Sequence, residues 1–259
     1  RANDEGVMTN AEKLRDAGAP MQVCGIDTLS RRIKPPAQFG VCDEAHHSVS
    51  EKYRIVFEMY PEARWLGVTA TPYRFDGKGL DEAWDIIIEG PSVVELIAAG
   101  VLSPSRVFSH DNDGTSRRLK GVKTVRGDFD RKELSKAFNK PKLVGPYVDE
   151  YERLGNGKPA VVYAIDLKHA VTIKAAFERR GYVTGYIHGD TPKPERERLL
   201  ADFAKGRIQI LINCEILTEG WDCPSAKVCI MARPTKSMAL YRQMIGRFLR
   251  GRKTAIIID

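Results

Sequence analysis

Short apolar runs recur along the 259 residues, each closed by a polar or glycine-containing turn and separated from the next by a stretch with helical spacing. The early runs cover residues 22–26, 39–42 and 65–68; the later ones cover 160–163, 183–187, 208–212, 228–230 and 254–258. Strands that alternate with helices predict an α/β fold built on parallel sheets. Two groups of runs predict two sheets. Residues 131–138 and 143–154 have the spacing of helices leading into the second one. A helix after 160–163 is expected to bury Leu167, Ala170, Ile173 and Phe177, which recur at intervals of three and four. Between the groups, residues 105–140 are rich in Gly, Ser, Asp, Lys and Arg, the composition of a loop. The expected organisation is a first domain over 1–104, a linker or insertion over 105–142 and a second domain over 143–259.

Composition narrows this little. A content of 42% hydrophobic and 29% charged residues is that of a soluble globular protein, and no apolar stretch approaches the ~20 residues of a membrane span. The five cysteines, Cys24, Cys42, Cys214, Cys223 and Cys229, form no CxxC pair. They fit a reduced, cytoplasmic protein better than a structural zinc site. Charge changes the picture more. Residues 1–104 hold 11 Lys+Arg against 16 Asp+Glu, and residues 105–259 hold 30 against 18. The basic surplus of the later part suits a phosphate backbone, although a solvated basic face fits the charge equally well.

The sharpest local signal is Phe39-Gly-Val-Cys-Asp43-Glu44-Ala45-His46, an apolar strand running into two adjacent acids. Ligands of open α/β sheets bind beyond the carboxyl ends of strands. There Asp43 can hold a hydrated Mg²⁺ while Glu44 orients and deprotonates an attacking water. A second strand ends in Thr69-Ala70-Thr71-Pro72, whose hydroxyls can bond to those carboxylates and to His46. Taken alone, this segment is also an ordinary turn.

In the later part, Thr191-Pro192 reads as a helix N-cap and first-turn pair whose exposed amides could hold a phosphate. Near the end, Tyr241, Met244, Ile245 and Phe248 form an apolar helical stripe. Gln243, Arg247 and Arg250 fall together on the opposite face.

Asp-Glu-Ala-His followed by Thr-Ala-Thr-Pro resembles motifs II and III of the superfamily 2 helicases, in the DEAH-type branch. Residues 160–170 resemble motif IV, and His188-Gly-Asp-Thr191-Pro192 is similar to a segment of the family's second domain. Thr218-Glu-Gly220-Trp-Asp222 resembles motif V, and Gln243-x-x-Gly-Arg247-x-x-Arg250 has the form of motif VI. Helicases of the bacterial RadD type and the motor portions of type I and type III restriction enzymes share this pattern. The resemblance implies two RecA-like domains, the first truncated at its N-terminus, with ATP and Mg²⁺ in the cleft between them and nucleic acid, DNA by subfamily, lying across both.

It also implies roles. Asp43 and Glu44 bind the metal and activate water, and His46, Thr69 and Thr71 link hydrolysis to movement. Arg247 and Arg250 act on the γ-phosphate, while Gly220, Asp222 and Gln243 hold the nucleotide. Thr28, Thr191 and Thr218 lie on the nucleic acid. At Cys214-Glu215 many relatives carry Thr-Asp, so hydroxyl contacts are not expected there.

No GxxxxGK[ST] phosphate-binding loop occurs in the sequence. Together with Arg1 in place of Met, this reads as a piece of a longer motor, expected to bind ATP weakly and hydrolyse it negligibly by itself. Two other readings stay open: a nucleic-acid-binding module without ATP turnover, and the motor part of a restriction enzyme.

Overall fold

The computed structural model describes residues 7–8, 19–31, 36–72, 79–109, 114–125, 127–217, 221–222, 224–250 and 253–259. The chain divides into two units, Arg1–Ile88 and Glu89–Asp259.

In the first unit, β1 (Val7–Met8) pairs in parallel with β2 (Met21–Gln22), and a single helical turn, α1 (Ile26–Leu29), follows. The apolar run 22–26 is therefore a strand only at its start. The Thr28 and Leu29 amides both donate to the Gly25 carbonyl at 3.0 Å, which closes the turn where a longer strand was expected.

The unit's better-developed part is β3 (Phe39–Asp43), α2 (Glu51–Met59) and β4 (Arg64–Val68), with β3 parallel to β4 and Asp43 opposite Val68. Trp65 turns inward onto Phe57 and Tyr60, at ring separations of 4.8 and 6.2 Å, and Phe57 meets Trp84 at 5.8 Å. That aromatic layer explains two glycines. A Cβ on Gly40 would stand 2.3 Å from the Trp65 ring, and one on Gly67 would stand 2.6 Å from Trp84. On the other face of the pair, Phe39, Val41, Leu66 and Val68 are exposed.

The second unit opens with α3 (Val93–Ala98), started by a capping box in which Ser92 and Glu95 satisfy each other's amides. Its centre is a six-stranded, all-parallel sheet. In spatial order the strands are β5 (Ser105–Phe108), β12 (Ala255–Ile258), β11 (Val228–Ile230), β8 (Ala160–Tyr163), β10 (Ile210–Asn213) and β9 (Thr184–Ile187). Strand β8 is buried at all four positions because both faces are covered, so it reads as a continuous apolar run without alternation.

One face packs on α6 (Pro141–Glu150) and α7 (Leu167–Arg179) through Val144, Val148, Ala170, Ile173 and Phe177. The other packs on α8 (Lys193–Ala204) and α9 (Met238–Gly246) through Phe203 and Met244, with Phe248 just beyond α9. Of the four residues expected in the core of α7, Leu167 is not there. It is 46% exposed because it occupies the first turn, directly after the Asp166 N-cap.

Residues 105–142, expected as a linker or insertion, hold regular structure throughout most of their described length. Ser105–Phe108 is the edge strand of the second sheet, in register with Ala255–Ile258. Only Phe108 of its four residues is partly sheltered, so the strand carries no apolar run to betray it. Beyond it come α4 (Thr115–Leu119), the antiparallel pair β6 (Thr124–Val125) and β7 (Asp128–Phe129), and α5 (Arg131–Phe138). These surround a small core of Leu134, Phe138 and Ile165. The division between the units falls at residue 88, earlier than the sequence suggested. Among the described residues no helix is long and apolar enough to cross a membrane.

Candidate functional site

The acids of the first unit stand where β3 ends. Asp43 is its last residue and is exposed; its Oδ1 accepts the Glu44 amide at 2.9 Å. Glu44 follows in left-handed backbone, φ 50° and ψ 49°, a region sparsely populated by residues other than glycine, asparagine and aspartate. A 3₁₀ turn, Ala45–His47, then carries His46 into the interior, where it is 3% exposed. Its Nδ1 lies 2.9 Å from Thr69 Oγ1 and 3.5 Å from Glu44 Oε2.

Thr69 in turn accepts the Thr71 amide at 3.1 Å and donates to the Thr71 carbonyl at 3.2 Å. Parallel pairing sets this up, because the register that puts Asp43 opposite Val68 brings the residues after both strands side by side. The expected bond between these threonines and His46 is thus present at Thr69. Thr71 is buried, and its hydroxyl finds no partner among the described residues. Thr28 lies half-buried on α1. The donor set suits a hydrated Mg²⁺: one exposed carboxylate with an oxygen to spare and a second beside it, leaving room for water and phosphate oxygens.

In the second unit the loops after β8, β9, β10 and β11 gather at the carboxyl rim of the sheet. After β9, Thr191 does not cap α8. That helix starts at Lys193 with Pro192 as N-cap and no side-chain cap bond. The Thr191 hydroxyl turns back to accept the His188 amide at 2.9 Å, and Arg196 covers the Gly189 and Thr191 carbonyls at 3.3 and 3.2 Å. The predicted cap therefore organises the His-Gly-Asp loop and not the helix.

After β10, the buried Asn213 Oδ1 accepts the amides of Ile216 and Leu217 at 2.8 and 3.0 Å. The Tyr163 hydroxyl, its pKa pushed up by complete burial, donates to the Leu217 carbonyl at 3.2 Å. Neither residue is among those to which the sequence motifs assign a role. Their one signal was a polar group ending each of two apolar strands. Thr218 and Gly220 lie outside the described residues.

Helix α9 ends at Gly246, so Arg247 and Arg250 belong to the turn that follows it. Gln243 and Arg247 are buried, at 9% and 7% exposure, whereas a polar helix face would be solvated. The Arg247 Nη1 donates to the Trp221 carbonyl at 3.1 Å. Arg250 is half-exposed and stands 3.6 Å from Asp222 Oδ1. Two arginines thus reach two successive residues of the Trp221-Asp222 segment. One is held inside and one is turned out.

Residues 146–252 match the helicase conserved C-terminal domain, and residues 2–74 match the type III restriction enzyme res subunit. A 51.5 kDa protein of a Lactococcus phage (isolate 7-9) is 35% identical over 221 residues, which is 85% of this chain and 48% of that protein. The IRC3 protein of Saccharomyces cerevisiae, provisionally named an ATP-dependent helicase, is 29% identical over 88% of this chain and 34% of its own length. Among solved structures, a fragment of an HsdR-type subunit of a type I restriction enzyme from Vibrio vulnificus YJ016 superposes with a TM-score of 0.65. It is 23% identical and covers 86% of this chain and 43% of that one. The fold is that of RecA-like helicase domains. The chain belongs to the superfamily 2 helicases, and it spans about half the length, or less, of these curated relatives.

Proposed function

We propose that the protein carrying this chain is an ATP-driven nucleic-acid motor and that its strand is DNA. Asp43 would hold Mg²⁺, which would neutralise charge on the phosphates, and Glu44 takes the proton of the attacking water. Arg250 stabilises charge on the transferring phosphoryl group, an assistance worth a factor of roughly 10³ to 10⁵ in rate. Arg247, buried against the Trp221 carbonyl, anchors the Trp221-Asp222 segment beside it. His46 and Thr69 transmit the state of the acids to the Thr69–Pro72 segment after β4. Nucleic acid runs over the His188–Thr191 loop and meets Thr218.

The observation that carries this reading is the placement of Asp43 and Glu44 at the end of β3 with His46 bonded to Thr69 behind them. ATP hydrolysis by the complete protein, with and without single-stranded DNA, tests it. Arg250→Ala should stop turnover and leave DNA binding in place; turnover near that of the unaltered protein removes the assigned role. A second reading, the motor part of a restriction enzyme, is favoured by the match of residues 2–74 to the res subunit. ATP turnover coupled to cleavage of DNA would distinguish it.

A further inference from the structure

Residues 115–142 carry ten Lys+Arg against three Asp+Glu, a balance of +7 that equals the net charge of the entire chain. All other residues together are neutral. Within this segment Lys123 is paired with Glu133 at 3.6 Å, and Arg131 is paired with Glu215. Arg117, Lys120, Lys132, Lys136, Lys140 and Lys142 are exposed and have no carboxylate partner among the described residues. Lys132 and Lys136 lie one turn apart on the outer side of α5, whose Leu134, Ser135 and Phe138 face inward. Crowding like charges costs stability through self-repulsion, and the core that supports them is small.

The lobe is also fixed in place. Asp128 Oδ1 accepts the Lys236 amide at 2.8 Å, and Oδ2 faces Arg233 Nη2 at 3.4 Å. The Lys236 ammonium sits 4.8 Å from the centre of the Phe129 ring. Arg131 reaches Glu215, and Ile165 completes the lobe's core. The loops after β8, β10 and β11 are thereby all tied to it, so its cations stand at the carboxyl rim of the second sheet, where sheets of this kind take ligands. Neither matched family domain includes these residues.

We infer that residues 115–142 form a second, sequence-independent contact for the phosphate backbone of the DNA strand, a reading that rests on the nucleic-acid motor proposed above. The lobe holds the strand electrostatically, outside the loops that resemble helicase motifs, and keeps it on the second unit through the cycle.

The test is binding of a fluorescein-labelled single-stranded 20-nucleotide DNA to the 259-residue chain, followed by anisotropy across a series of salt concentrations. Each phosphate contact on a single strand contributes about 0.7 to the slope of log affinity against log salt. Replacing Lys132, Lys136, Lys140 and Lys142 together by Ala should lower that slope by about 2 to 3. A matched variant at the amino end of the same sheet, with Lys158, Lys205, Lys227 and Lys253 replaced by Ala, should lower it by less than about 1. Unchanged thermal midpoints show that both variants are folded. Equal losses in the two variants, or no loss in the first, overturn the inference and leave the motor reading standing. Absence of DNA binding by the unaltered chain removes the inference, whereas the motor reading falls only if the complete protein shows no ATP turnover stimulated by nucleic acid.

Discussion

His46 Nδ1 lies 2.9 Å from Thr69 Oγ1, joining the turn after β3 to the turn after β4 through a side chain only 3% exposed. A buried hydrogen bond between residues 23 apart couples two loops that the sheet itself leaves independent. A double-mutant cycle of His46→Ala and Thr69→Ala on the unfolding of the chain should give a coupling of about 0.5–3 kcal/mol. In the complete protein each single change should reduce the stimulation of ATP turnover by DNA more than the basal rate. Additive unfolding energies would mean that the contact joins nothing.

The two arginines after α9 differ in environment, and their contributions to stability should differ accordingly. Arg250 and Asp222 are each about half-exposed, so their pair is screened by solvent; removing either should cost below about 1 kcal/mol. Arg247 is buried and its guanidinium satisfies the Trp221 carbonyl. Arg247→Ala leaves that carbonyl without its donor and opens space in the core, at a cost of about 1–3 kcal/mol. Denaturant unfolding of the two variants checks the order, and an Arg250→Ala loss as large as that of Arg247→Ala contradicts it.

Burial lowers the pKa of His169 from 6.5 to about 4, against an opposing pull from Asp166. The ring is fully buried, and its Nδ1 accepts the Ile165 amide at 3.3 Å, which requires the neutral form. Above pH 6.5 neither the folded nor the unfolded chain protonates this ring, and its contribution to stability is complete. Between about 6.5 and 4 only the unfolded chain takes up the proton, so stability falls as pH falls, by on the order of 3 kcal/mol over the interval. The thermal midpoint of His169→Asn should show a shallower decline from pH 7 to pH 4.5 than that of the unaltered chain. Parallel curves refute the assignment.

What the sequence made legible follows from burial. Strands β8 and β11, covered on both faces, are uninterrupted apolar runs and were found with the bounds the structure gives them. The edge strand β5 was missed because Ser105, Arg106 and Val107 are exposed, so an apolar pattern had no reason to form. At the site, the acids and the His46–Thr69 contact could be anticipated because each ends a strand whose pairing partner was also recognisable. The burial of Arg247 could not, since it depends on the Trp221 carbonyl, 26 residues away and carrying no side-chain signal. Nor could the turn of Thr191 toward His188, because a hydroxyl before a proline suits an N-cap and a loop-closing bond equally.

Glu44 carries the central chemical step. Its measurement is the steady-state release of phosphate from ATP by the complete protein carrying Glu44→Gln, with saturating DNA and Mg²⁺. Because glutamine keeps the shape and loses the base, turnover should fall to background while affinity for DNA stays within about twofold, under ~0.5 kcal/mol. Phosphate release at the rate of the unaltered protein would contradict the claim that the acids after β3 activate the water.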